Sequence, residues 1–543
     1  MTSPVSSRPS DCSWGAFDDV APWVLDPNNI SWEKQAIELR VSAQREVPVL
    51  TTPTRIPPVA RLVVVVWVLS KALVPWFVKK KLRPCATPED SRAYISLRMR
   101  KAVERLGSTY IKLGQIISSG EGLFPAELVN EFKLCRDQVP AIPFESVKKT
   151  IESELGKPLT EVFSYIDTTA LAAASIAQVH LATLITGEEV VVKVQRPTVS
   201  KMVRKDLRVM AWLAPHLVGR IKVSALANPP ALVELFAETI VEELDFRIEA
   251  SNMLDVAKML CELNQDRYII PRPHPTLATQ RVLVMQRLSG FKFDDVVGMK
   301  NAGIDTHSVI RTGMIAFMEG AMIYGVFHGD LHGGNLFVMP DGRTALLDFG
   351  IVGRLSGARR MAFLRLMLNA TTNNVVGQVE ALRDLGALPM DTDIHAVIKD
   401  LNLGDAAIDP TTLSGEELVK EVQRIVKALM GYGARMPKEL MLYVKNMVFL
   451  DGAIARLAPD LDLLGEIANI SMLFAQRHGE QLGRELGIDP NQVAGYRVRA
   501  ANGEVYGEPM PRNTGLADYA ISQPVSPQEA GVRPAFLLKL WNS

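Results

Sequence analysis

The sequence predicts an α+β fold, with a strand-rich segment in the middle of the chain and helices on both sides of it. Residues 170–194 contain two apolar runs separated by a Thr186-Gly187 turn, which is typical of a β-hairpin, and residues 281–285 form a further strand pattern. Apolar residues recur at helical spacing over 91–140, 144–154, 200–218, 230–263, 309–324, 357–370, 373–385, 415–432, 437–457 and 464–483. With 543 residues, of which 48% are hydrophobic, the chain can bury more than one core, so we expect two or three domains.

The composition of the chain bounds its partners and its compartment. Lys plus Arg and Asp plus Glu are equal at 60 residues each, so there is no bulk attraction to nucleic acid, and we expect no nucleic-acid partner. The four cysteines are far apart and form no Cys-x-x-Cys pair, which favours separate thiols over a zinc site or a disulfide framework. The first 19 residues lack the apolar run of a secretory signal, so we expect the main part of the chain on the cytoplasmic side.

Residues 59–78 are almost wholly apolar and are followed by three lysines. Their number suits a membrane span, but Arg61, Lys71 and Pro75 interrupt them, and each central charge costs about 2.5 to 3.5 kcal/mol on insertion. Three interpretations stay open: an interfacial helix with aromatic and lysine anchors, a hydrophobic helix buried against the rest of the protein, and a single N-terminal span.

Two polar loops carry the strongest functional signal: His328-Gly-Asp-Leu-His-Gly-Gly-Asn335 and Leu347-Asp-Phe-Gly350. Phosphoryl transfer assisted by a metal needs a carboxylate that orients the attacking hydroxyl, then an amide and a second carboxylate that hold Mg²⁺ on the nucleotide phosphates. Asp330, Asn335 and Asp348 occur in that order. The residues between the two loops predict a hairpin that brings Asn335 and Asp348 together.

The strand-rich segment supplies further charged groups. Lys193 lies near the end of the second hairpin strand, where kinases place the lysine that contacts the α- and β-phosphates, although most lysines in such strings merely end a buried strand. A helix glutamate must pair with this lysine, and we select Glu249. Glu243 or Asp245 would be additional acidic groups facing the nucleotide, and the alternative is a solvated acidic face.

Two further pairs of residues have weaker signals. Met285 and Arg287 lie at the end of the strand at 281–285, where a hinge could bond the adenine edge through its backbone. Lys112 and Gln115 are three residues apart in a helical segment, and on pattern alone they form its polar side.

These motifs, in this order, resemble the UbiB family of atypical protein-kinase-like proteins, also called aarF-domain-containing kinases. The resemblance covers about residues 95–470 and adds Lys112-Leu-Gly-Gln115 and an alanine-rich loop to the motifs above. It implies an atypical protein-kinase-like fold of two lobes, with a helical N-terminal extension and a mainly helical large lobe.

The resemblance also implies a site for an adenine nucleotide, ATP or ADP, with Mg²⁺. In this family the alanine-rich loop replaces the flexible glycine loop over the phosphates, which limits the backbone conformations of the loop. The Lys-x-Gly-Gln helix lies across the site, so Lys112 could meet Glu243 and Asp245. Asp330, Lys193 and Glu249 would be catalytic, and Asn335 and Asp348 would bind the metal. The nucleotide-binding positions would be Ala172, Ala173, Ala174, Ser175, Ile176, Ala177, Gln178, Val179, Lys193, Met285, Arg287, Lys112, Gln115, Glu243 and Asp245.

The sequence departs from the family pattern inside the catalytic loop. Gly329, Leu331 and Gly333 replace an alanine and two prolines that stiffen the loop, and Ala177 replaces a glycine near the phosphates. His332 stands where ordinary kinases carry a lysine, and we expect His328 to be a structural hydrogen-bonding residue rather than a proton carrier.

Three functions follow as hypotheses. The first is an ATPase or a kinase acting on a membrane lipid or quinone precursor, since the family is tied to isoprenoid quinones and related lipids. The second is a nucleotide-sensing scaffold or chaperone for lipid-modifying enzymes. The third, a conventional protein kinase, is the least favoured, because nothing between Gly350 and Met361 resembles an activation segment.

With the resemblance in place, the chain divides into six predicted segments. They are an irregular N-terminal segment at 1–58, a hydrophobic helix at 59–90, the helical extension at 91–160, the nucleotide-binding small lobe at 161–290, the large lobe with the catalytic loop at 291–485, and a tail at 486–543.

Overall fold

The chain forms two compact units. The computed structural model describes residues 30–82, 87–118, 125–135, 140–218, 228–371, 374–401, 432–435, 437–461 and 463–485, together with residues 23, 25 and 429. The first unit is Met1–Asp295 with His328–Val352, and the second is Val296–Phe327 with Gly353–Ser543. The predicted tail after residue 485 and most of the helix predicted at 415–432 lie outside the described residues.

The described helices and strands follow the predicted order of helices, strands and helices. The helices are α1 Glu33–Thr51, α2 Val59–Leu82, α3 Pro88–Leu106, α4 Ser108–Ser118, α5 Ala126–Lys133, α6 Phe144–Leu155, α7 Val199–Leu217, α8 Pro229–Glu242, α9 Phe246–Glu262, α10 Val296–Asn301, α11 Thr306–Glu319, α12 Gly357–Thr371, α13 Val375–Asp384, α14 Ile394–Asp400, α15 Lys438–Leu457 and α16 Leu463–Glu485. The strands are β1 Phe163–Ile166, β2 Ala172–Ala173, β3 Ala177–Leu184, β4 Glu189–Gln195, β5 Tyr268–Ile269, β6 Pro273–Ala278, β7 Val282–Gln286, β8 Phe291–Lys292, β9 Val326–His328, β10 Leu336–Val338, β11 Thr344–Leu346 and β12 Val352–Arg354.

The main sheet of the first unit is antiparallel and has the order β1-β3-β4-β7-β6, with β2 paired to β3. Helix α6 covers one face, where Val147 and Ile151 join the valines of β4 and β7 in one hydrophobic core. The sequence placed this helix in the extension before the small lobe. It belongs with the sheet instead, because the sheet buries its apolar face.

Strand β4 presents different residues to the two faces of this sheet, because side chains alternate along a strand. Val190, Val192 and Val194 are fully buried in the core against α6. Lys193 and Gln195 therefore point to the opposite face, where Gln195 Nε2 donates to the backbone oxygen of Leu244 at 3.0 Å. This alternation delivers the lysine to the face on which α9 lies.

The sequence assigned the hairpin after His328 to the large lobe, and this division of the lobes stays a prediction. Strands β10 and β11 form the predicted hairpin, but β8 pairs with β10 and β5 pairs in parallel with β11. The four strands form one sheet, so the hairpin belongs to the first unit. Gly290 permits the approach, because a Cβ at this position would lie 2.6 Å from the backbone oxygen of Val338.

Part of the N-terminal segment predicted to be irregular is the helix α1. Its residues Ala36, Ala43, Val47 and Leu50 are buried and lie on one stripe of the helix. Trp32 precedes the helix, is almost fully buried, and donates from Nε1 to the backbone oxygen of His274 at 3.1 Å. The many Ser, Pro and Thr residues in the first 58 positions led to the prediction of irregular structure, although these four apolar residues have helical spacing.

The single helix predicted from residue 230 to 263 is divided into α8 and α9. Asn228 caps α8 and Pro229 occupies its first turn. The side chain of Asp245 accepts from the backbone amide of Arg247 and begins α9 as a new helix. A cysteine prediction also fails nearby, since Cys261 in α9 is disulfide-bonded, whereas Cys135 is a buried free thiol.

The hydrophobic segment is the helix α2, which packs against α3. Within the described residues, Val59–Lys79 is long and apolar enough to cross a membrane. Val65, Val68 and Ala72 form a buried stripe, and Leu62, Leu69, Leu73 and Trp76 are half-buried. The exposed large apolar side chains are Val59, Val63, Val64, Val66, Trp67, Val74, Phe77, Val78 and Leu82. Arg61 binds Asp206 of α7 through Nε at 2.6 Å and the backbone oxygen of Leu106 at 2.8 Å. The first turn of α2 is thus tied to the protein.

The second unit is helical, as predicted. Helix α11 ends at Glu319 and continues into a π-helical turn, Gly320–Tyr324. Its Phe317 stacks on Tyr443 of α15 with ring centroids 5.0 Å apart. The fully buried Glu319 is paired with His478 at 2.8 Å and Arg477 at 3.3 Å, both from α16.

Removing the guanidinium from α2 should destabilise the fold. Asp206 is fully buried, so Arg61→Met leaves a buried carboxylate without its partner, and we expect the free energy of unfolding to fall by about 3 kcal/mol or more. Urea denaturation measures this change. The matched control is Glu46→Gln, which breaks a partly exposed ion pair between α1 and Arg204 of α7 and should cost less than about 1 kcal/mol. Equal losses in the two variants would contradict the prediction.

Candidate functional site

One buried lysine joins two carboxylates at the centre of the site. Lys193 Nζ lies 2.7 Å from Glu249 Oε1 and 3.2 Å from Asp348 Oδ1. Lys193 comes from β4, Glu249 from the first turn of α9, and Asp348 from the loop after β11. The pairing of Lys193 with Glu249 that the sequence predicts is present, and Asp348 reaches the same ammonium.

The two carboxylates differ in their exposure to solvent. The Glu249 side chain is 4% exposed, whereas the Asp348 side chain is 44% exposed. Burial raises the pKa of Glu249 to about 7, and Lys193 only partly offsets this. Burial acts in the same sense on Asp348, but Lys193 and the backbone amide of Gly350 outweigh it and lower its pKa. Asp348 is therefore the firmly ionised partner of the lysine.

Hydrogen bonds from several elements hold the loop that carries Asp348. The amide of Gly350 donates to Asp348 Oδ1 at 3.0 Å. Asn252 Nδ2, on α9, donates to the backbone oxygen of Phe349 at 2.8 Å. His328 Nε2 donates to the backbone oxygen of Asp348. The position of Asp348 is thus fixed by α9 and by the catalytic loop together.

His328 bridges the two functional loops. Its Nδ1 accepts from the backbone amide of Asp330 at 3.2 Å, so its Nε2 carries the proton donated to Asp348. The ring is buried, which lowers its pKa, and it contacts Phe349 edge to face with centroids 5.3 Å apart. These contacts agree with the predicted structural role.

Asn335 lies at the open end of the β10–β11 hairpin, next to the Asp348 loop. Its Nδ2 donates to the backbone oxygen of Asp330 at 3.0 Å, and its backbone oxygen accepts from the amide of Leu347 at 3.0 Å. Because Nδ2 is engaged, Oδ1 is the atom that remains to meet a cation. Asp330 itself follows His328 in the turn and is partly buried.

Lys112 of α4 forms a second ion pair beside the first. Its Nζ lies 2.9 Å from Glu243 Oε1, and both side chains are largely buried. Burial opposes the charge of Lys112, but Glu243 and Asp330 outweigh it and raise its pKa. A Cβ on Gly350 would lie 3.5 Å from Glu243 Cγ, so this pair borders the Asp348 loop. Gln115 lies one turn after Lys112 on the same helix and is partly buried.

Asp245 does not meet Lys112, as the sequence had suggested it could. Its two carboxylate oxygens bind Arg247, Oδ1 to Nε at 2.9 Å and Oδ2 to NH2 at 2.6 Å. The residue serves as the cap of α9, which is the usual use of an aspartate immediately before a helix.

The alanine-rich loop is a narrow hairpin. Ala172 and Ala173 pair with Val179 and Gln178, and the amide of Ala174 donates to the backbone oxygen of Ala177 at 2.9 Å. Ser175, Ile176 and Ala177 are buried. The loop is therefore closed by its own backbone hydrogen bonds.

The side chain of Gln178 is buried and bonded to neighbouring protein groups. Its Oε1 accepts from the amide of Ile142 at 2.8 Å, and its Nε2 donates to His180 Nε2 at 3.0 Å. His180 can accept there because its Nδ1 donates to the backbone oxygen of Asp167 at 2.7 Å. The Gln178 side chain is thus engaged in a buried hydrogen-bond network, and a nucleotide contact at this position stays a prediction.

The predicted hinge follows β7. Met285 is buried within the sheet opposite Val191. The amide of Arg287 donates to the backbone oxygen of Glu189 at 3.4 Å, and Arg287 NH1 lies 3.1 Å from the Glu189 carboxylate. Adenine binding at these two positions stays a prediction.

Two site-forming residues were missed by the sequence analysis. Arg196 donates from Nε to the backbone oxygen of Ala174 at 2.9 Å and from NH2 to that of Pro140 at 2.9 Å, so it clamps the alanine-rich loop. Asn252 holds Phe349, and its spacing of three residues from Glu249 on one helix was the available signal.

The donor set suits Mg²⁺ rather than a metal held wholly by protein. Mg²⁺ prefers oxygen ligands and commonly takes one or two carboxylates, with phosphates and water completing its shell. Asp348 and the Oδ1 of Asn335 supply such oxygens. Within the described parts of the chain, no three His, Cys, Asp or Glu side chains cluster as a complete metal site.

Comparison with known proteins points to one family. A family model described as the ABC1 atypical kinase-like domain matches residues 134–382. An uncharacterized aarF domain-containing protein kinase of Arabidopsis thaliana, chloroplastic, is 32% identical over 400 residues, which cover 68% of this chain and 73% of that protein. A Marinobacter nauticus protein named "Probable protein kinase UbiB" is 31% identical over 371 residues, covering 67% of each chain. A solved Mycobacterium tuberculosis structure, Rv3197 with erythromycin, is 21% identical with a TM-score of 0.36, covering 64% of this chain and 90% of that one.

The pKa of Glu249 predicts a pH dependence of stability without nucleotide. Because its folded-state pKa of about 7 lies above the ordinary value of 4.5, the folded protein keeps a proton that the unfolded chain loses, and this stability disappears as the pH rises from about 4.5 through 7. The Tm of wild type relative to Glu249→Gln should therefore fall between pH 5 and pH 7.5.

Glu154→Gln is the control for this measurement. Burial raises the pKa of Glu154, but hydrogen bonds from Thr279 and Arg281 outweigh it and lower the pKa below 4.5. Its contribution is lost only as the pH falls below that value, so the Tm difference for this variant should stay constant from pH 5 to 7.5. A constant difference for Glu249→Gln as well would refute the prediction.

Proposed function

Because the chain belongs to the ABC1/UbiB family of atypical kinases, we propose that it binds ATP or ADP together with Mg²⁺ and hydrolyses ATP or transfers its γ-phosphoryl group to a small acceptor. The acceptor class that we propose is a membrane lipid or an isoprenoid quinone precursor. Lipid-modifying enzymes would be its partners.

The observation that carries this proposal is the position of Lys193 between Glu249 and Asp348. In protein kinases the strand lysine, the helix glutamate and the Asp-Phe-Gly aspartate must all be in place for phosphoryl transfer. Here the lysine contacts both acidic groups at once, at 2.7 Å and 3.2 Å. The arrangement therefore needs no rotation of α9 to assemble these three groups.

Each residue of the proposed site has a definite task. Lys193 would contact the α- and β-phosphates while Glu249 holds its ammonium in position. Asn335 and Asp348 would hold Mg²⁺, which when bound offsets the charge of the phosphates. Asp330 would orient the attacking hydroxyl or water, because its backbone is fixed by His328 and Asn335.

The exposed apolar face of α2 supports a membrane surface as the place of action. Trp67 and Phe77 are 57% and 59% exposed, although aromatic side chains of this size are usually buried in soluble proteins. Arg61 is tied to Asp206, and Arg98 of α3 donates to the backbone oxygen of Ala72 at 3.2 Å. These contacts favour a helix that lies on the bilayer surface over one that leaves α3 to span it.

A scaffold or chaperone with little phosphoryl transfer is the second candidate. The contact between Lys112 and Glu243 places a helix of the extension at the border of the Asp348 loop. The alanine-rich loop is also closed by backbone bonds and by Arg196. Both features favour tight nucleotide binding with slow exchange.

Asp348→Asn should abolish metal-assisted turnover. Replacing the carboxylate by an amide removes the charged ligand and the partner of Lys193, so we expect ATP turnover in the presence of anionic liposomes to fall about 100-fold or more. The Mg²⁺-dependent rise in Tm on adding ADP should disappear as well. Phosphate release and thermal-shift titration measure the two effects.

Asp341→Asn is the matched control, because Asp341 lies in the turn of the same hairpin, away from Lys193. Its carboxylate accepts from the backbone amide and from Nε of Arg343. It should leave turnover unchanged. Turnover that survives in Asp348→Asn would refute the enzymatic proposal. Nucleotide binding by the wild type with no turnover under any lipid condition would favour the scaffold instead.

Polar substitution on α2 should weaken membrane binding. Each large apolar side chain that leaves the bilayer costs about 1.5 to 3 kcal/mol, so Trp67→Ser with Phe77→Ser should reduce the bound fraction at least 10-fold in flotation with anionic vesicles. Ile185→Ser removes an equally exposed apolar side chain from the β3–β4 turn and should have no effect. Equal binding by both variants would exclude α2 as the docking helix.

A further inference from the structure

Helix α1 is connected to the Asp348 loop through two residues. Arg40 NH2 donates to Asn252 Oδ1 at 2.8 Å and to Ser251 Oγ at 2.9 Å, and it forms an ion pair with Asp255 at 2.9 Å. The other end of the Asn252 amide, Nδ2, donates to the backbone oxygen of Phe349 at 2.8 Å. The Asn252 amide is therefore bonded at both ends.

These contacts fix the orientation of the Asn252 amide. Asn252 is 3% exposed, and Arg40 can only donate, so Oδ1 must face Arg40 and Nδ2 must face Phe349. The Phe349 carbonyl decides which end of the amide faces it, and the donation from Arg40 to Oδ1 restrains the position and plane of the side chain. Removal of the guanidinium takes away that restraint, so the bond from Nδ2 to Phe349 is held less firmly. Phe349 immediately follows Asp348, so such a change would reach the carboxylate.

We propose that α1 is a positioning element of the nucleotide site and that Arg40, by orienting Asn252, holds Asp348 where it can meet the metal-bound phosphates. The role of Asp348 toward the phosphates rests on the proposed function, whereas the hydrogen-exchange test below needs no nucleotide. Arg40 lies outside residues 134–382, the range matched by the family model, whereas Asn252 and Phe349 lie inside it.

The attachment of α1 does not itself require Arg40. Glu46 binds Arg204 of α7 at 2.9 Å, and Trp32 and the amide of Ser31 bond to the segment His274–Pro275. Gln35 accepts from Arg247 at 2.7 Å. Loss of Arg40 should therefore leave α1 docked, while it removes the hydrogen bond that Arg40 donates to Asn252 Oδ1.

The first readout is hydrogen exchange of the nucleotide-free protein. The amide of Gly350 donates to Asp348 Oδ1, so its exchange rate reports whether the loop holds its position. In Arg40→Met and in Asn252→Ala we expect exchange in the peptide 345–353 to accelerate about 5- to 10-fold, which corresponds to the loss of one hydrogen bond. The double variant should be no faster than Asn252→Ala alone, because both act through one amide.

The second readout is the factor by which Mg²⁺ strengthens ADP binding, measured by calorimetry. This factor should fall about 10-fold in Arg40→Met, whereas ADP affinity without Mg²⁺ should change less than 2-fold. Glu46→Gln is the control on the same helix, and it should alter neither the exchange at 345–353 nor the Mg²⁺ factor.

The outcomes separate this inference from the proposed function. Acceleration of exchange in Arg40→Met equal to that in Glu46→Gln, or no acceleration in either, overturns the positioning role. If the wild type binds no nucleotide, the proposed function fails, but the exchange experiment still decides whether Arg40 positions the loop. Accelerated exchange with an unchanged Mg²⁺ factor would overturn the link to Asp348.

Discussion

The sharing of one ammonium between two carboxylates is the constraint on which the site depends. An isolated charge in the interior is costly, so Lys193 is tolerated only because Glu249 and Asp348 both reach it. The alternation of β4 must then put its valines on one face and its lysine on the other. Helix α9 must begin where it does, because the cap at Asp245 sets which turn presents Glu249. The split between α8 and α9 is therefore a condition of the site.

Helix α9 contributes to this constraint at two levels. Glu249 accepts a hydrogen bond from the lysine, and Asn252, three residues later, holds the loop of Asp348 by a hydrogen bond to Phe349. Displacement of the helix would remove Glu249 from the lysine and one of the bonds that hold the Asp348 loop. The catalytic loop is joined to the same unit through His328, which bonds both Asp330 and Asp348.

Motifs with fixed spacing could be predicted from the sequence, and long-range partners could not. The β-hairpin at Lys193 and the hairpin between Asn335 and Asp348 follow from local periodicity and turn residues, which act over a few positions. The side chains of Gln178 and Asp245 bond Ile142 and Arg247, respectively. The spacing of residues in the sequence does not predict which partner a polar side chain will hydrogen-bond. Helix α1 was missed because the overall composition of the first 58 residues does not show the spacing of its four buried apolar residues. The contact between Arg40 and Asn252 could not be predicted, because the two residues are more than 200 positions apart.

The balance of charge in the site supports the proposal that a divalent cation binds together with the nucleotide. Lys112 and Lys193 contribute two ammonium groups, whereas Glu243, Glu249, Asp330 and Asp348 contribute four carboxylates. Even with Glu249 protonated, the carboxylates outnumber the ammonium groups, so a polyphosphate entering alone would meet net repulsion. Both lysines already have acidic partners: Lys112 pairs with Glu243, and Lys193 pairs with Glu249 and Asp348. Under the proposed function, additional positive charge would accompany the phosphates, and Asp348, the more exposed and more acidic of the two Lys193 partners, would receive it.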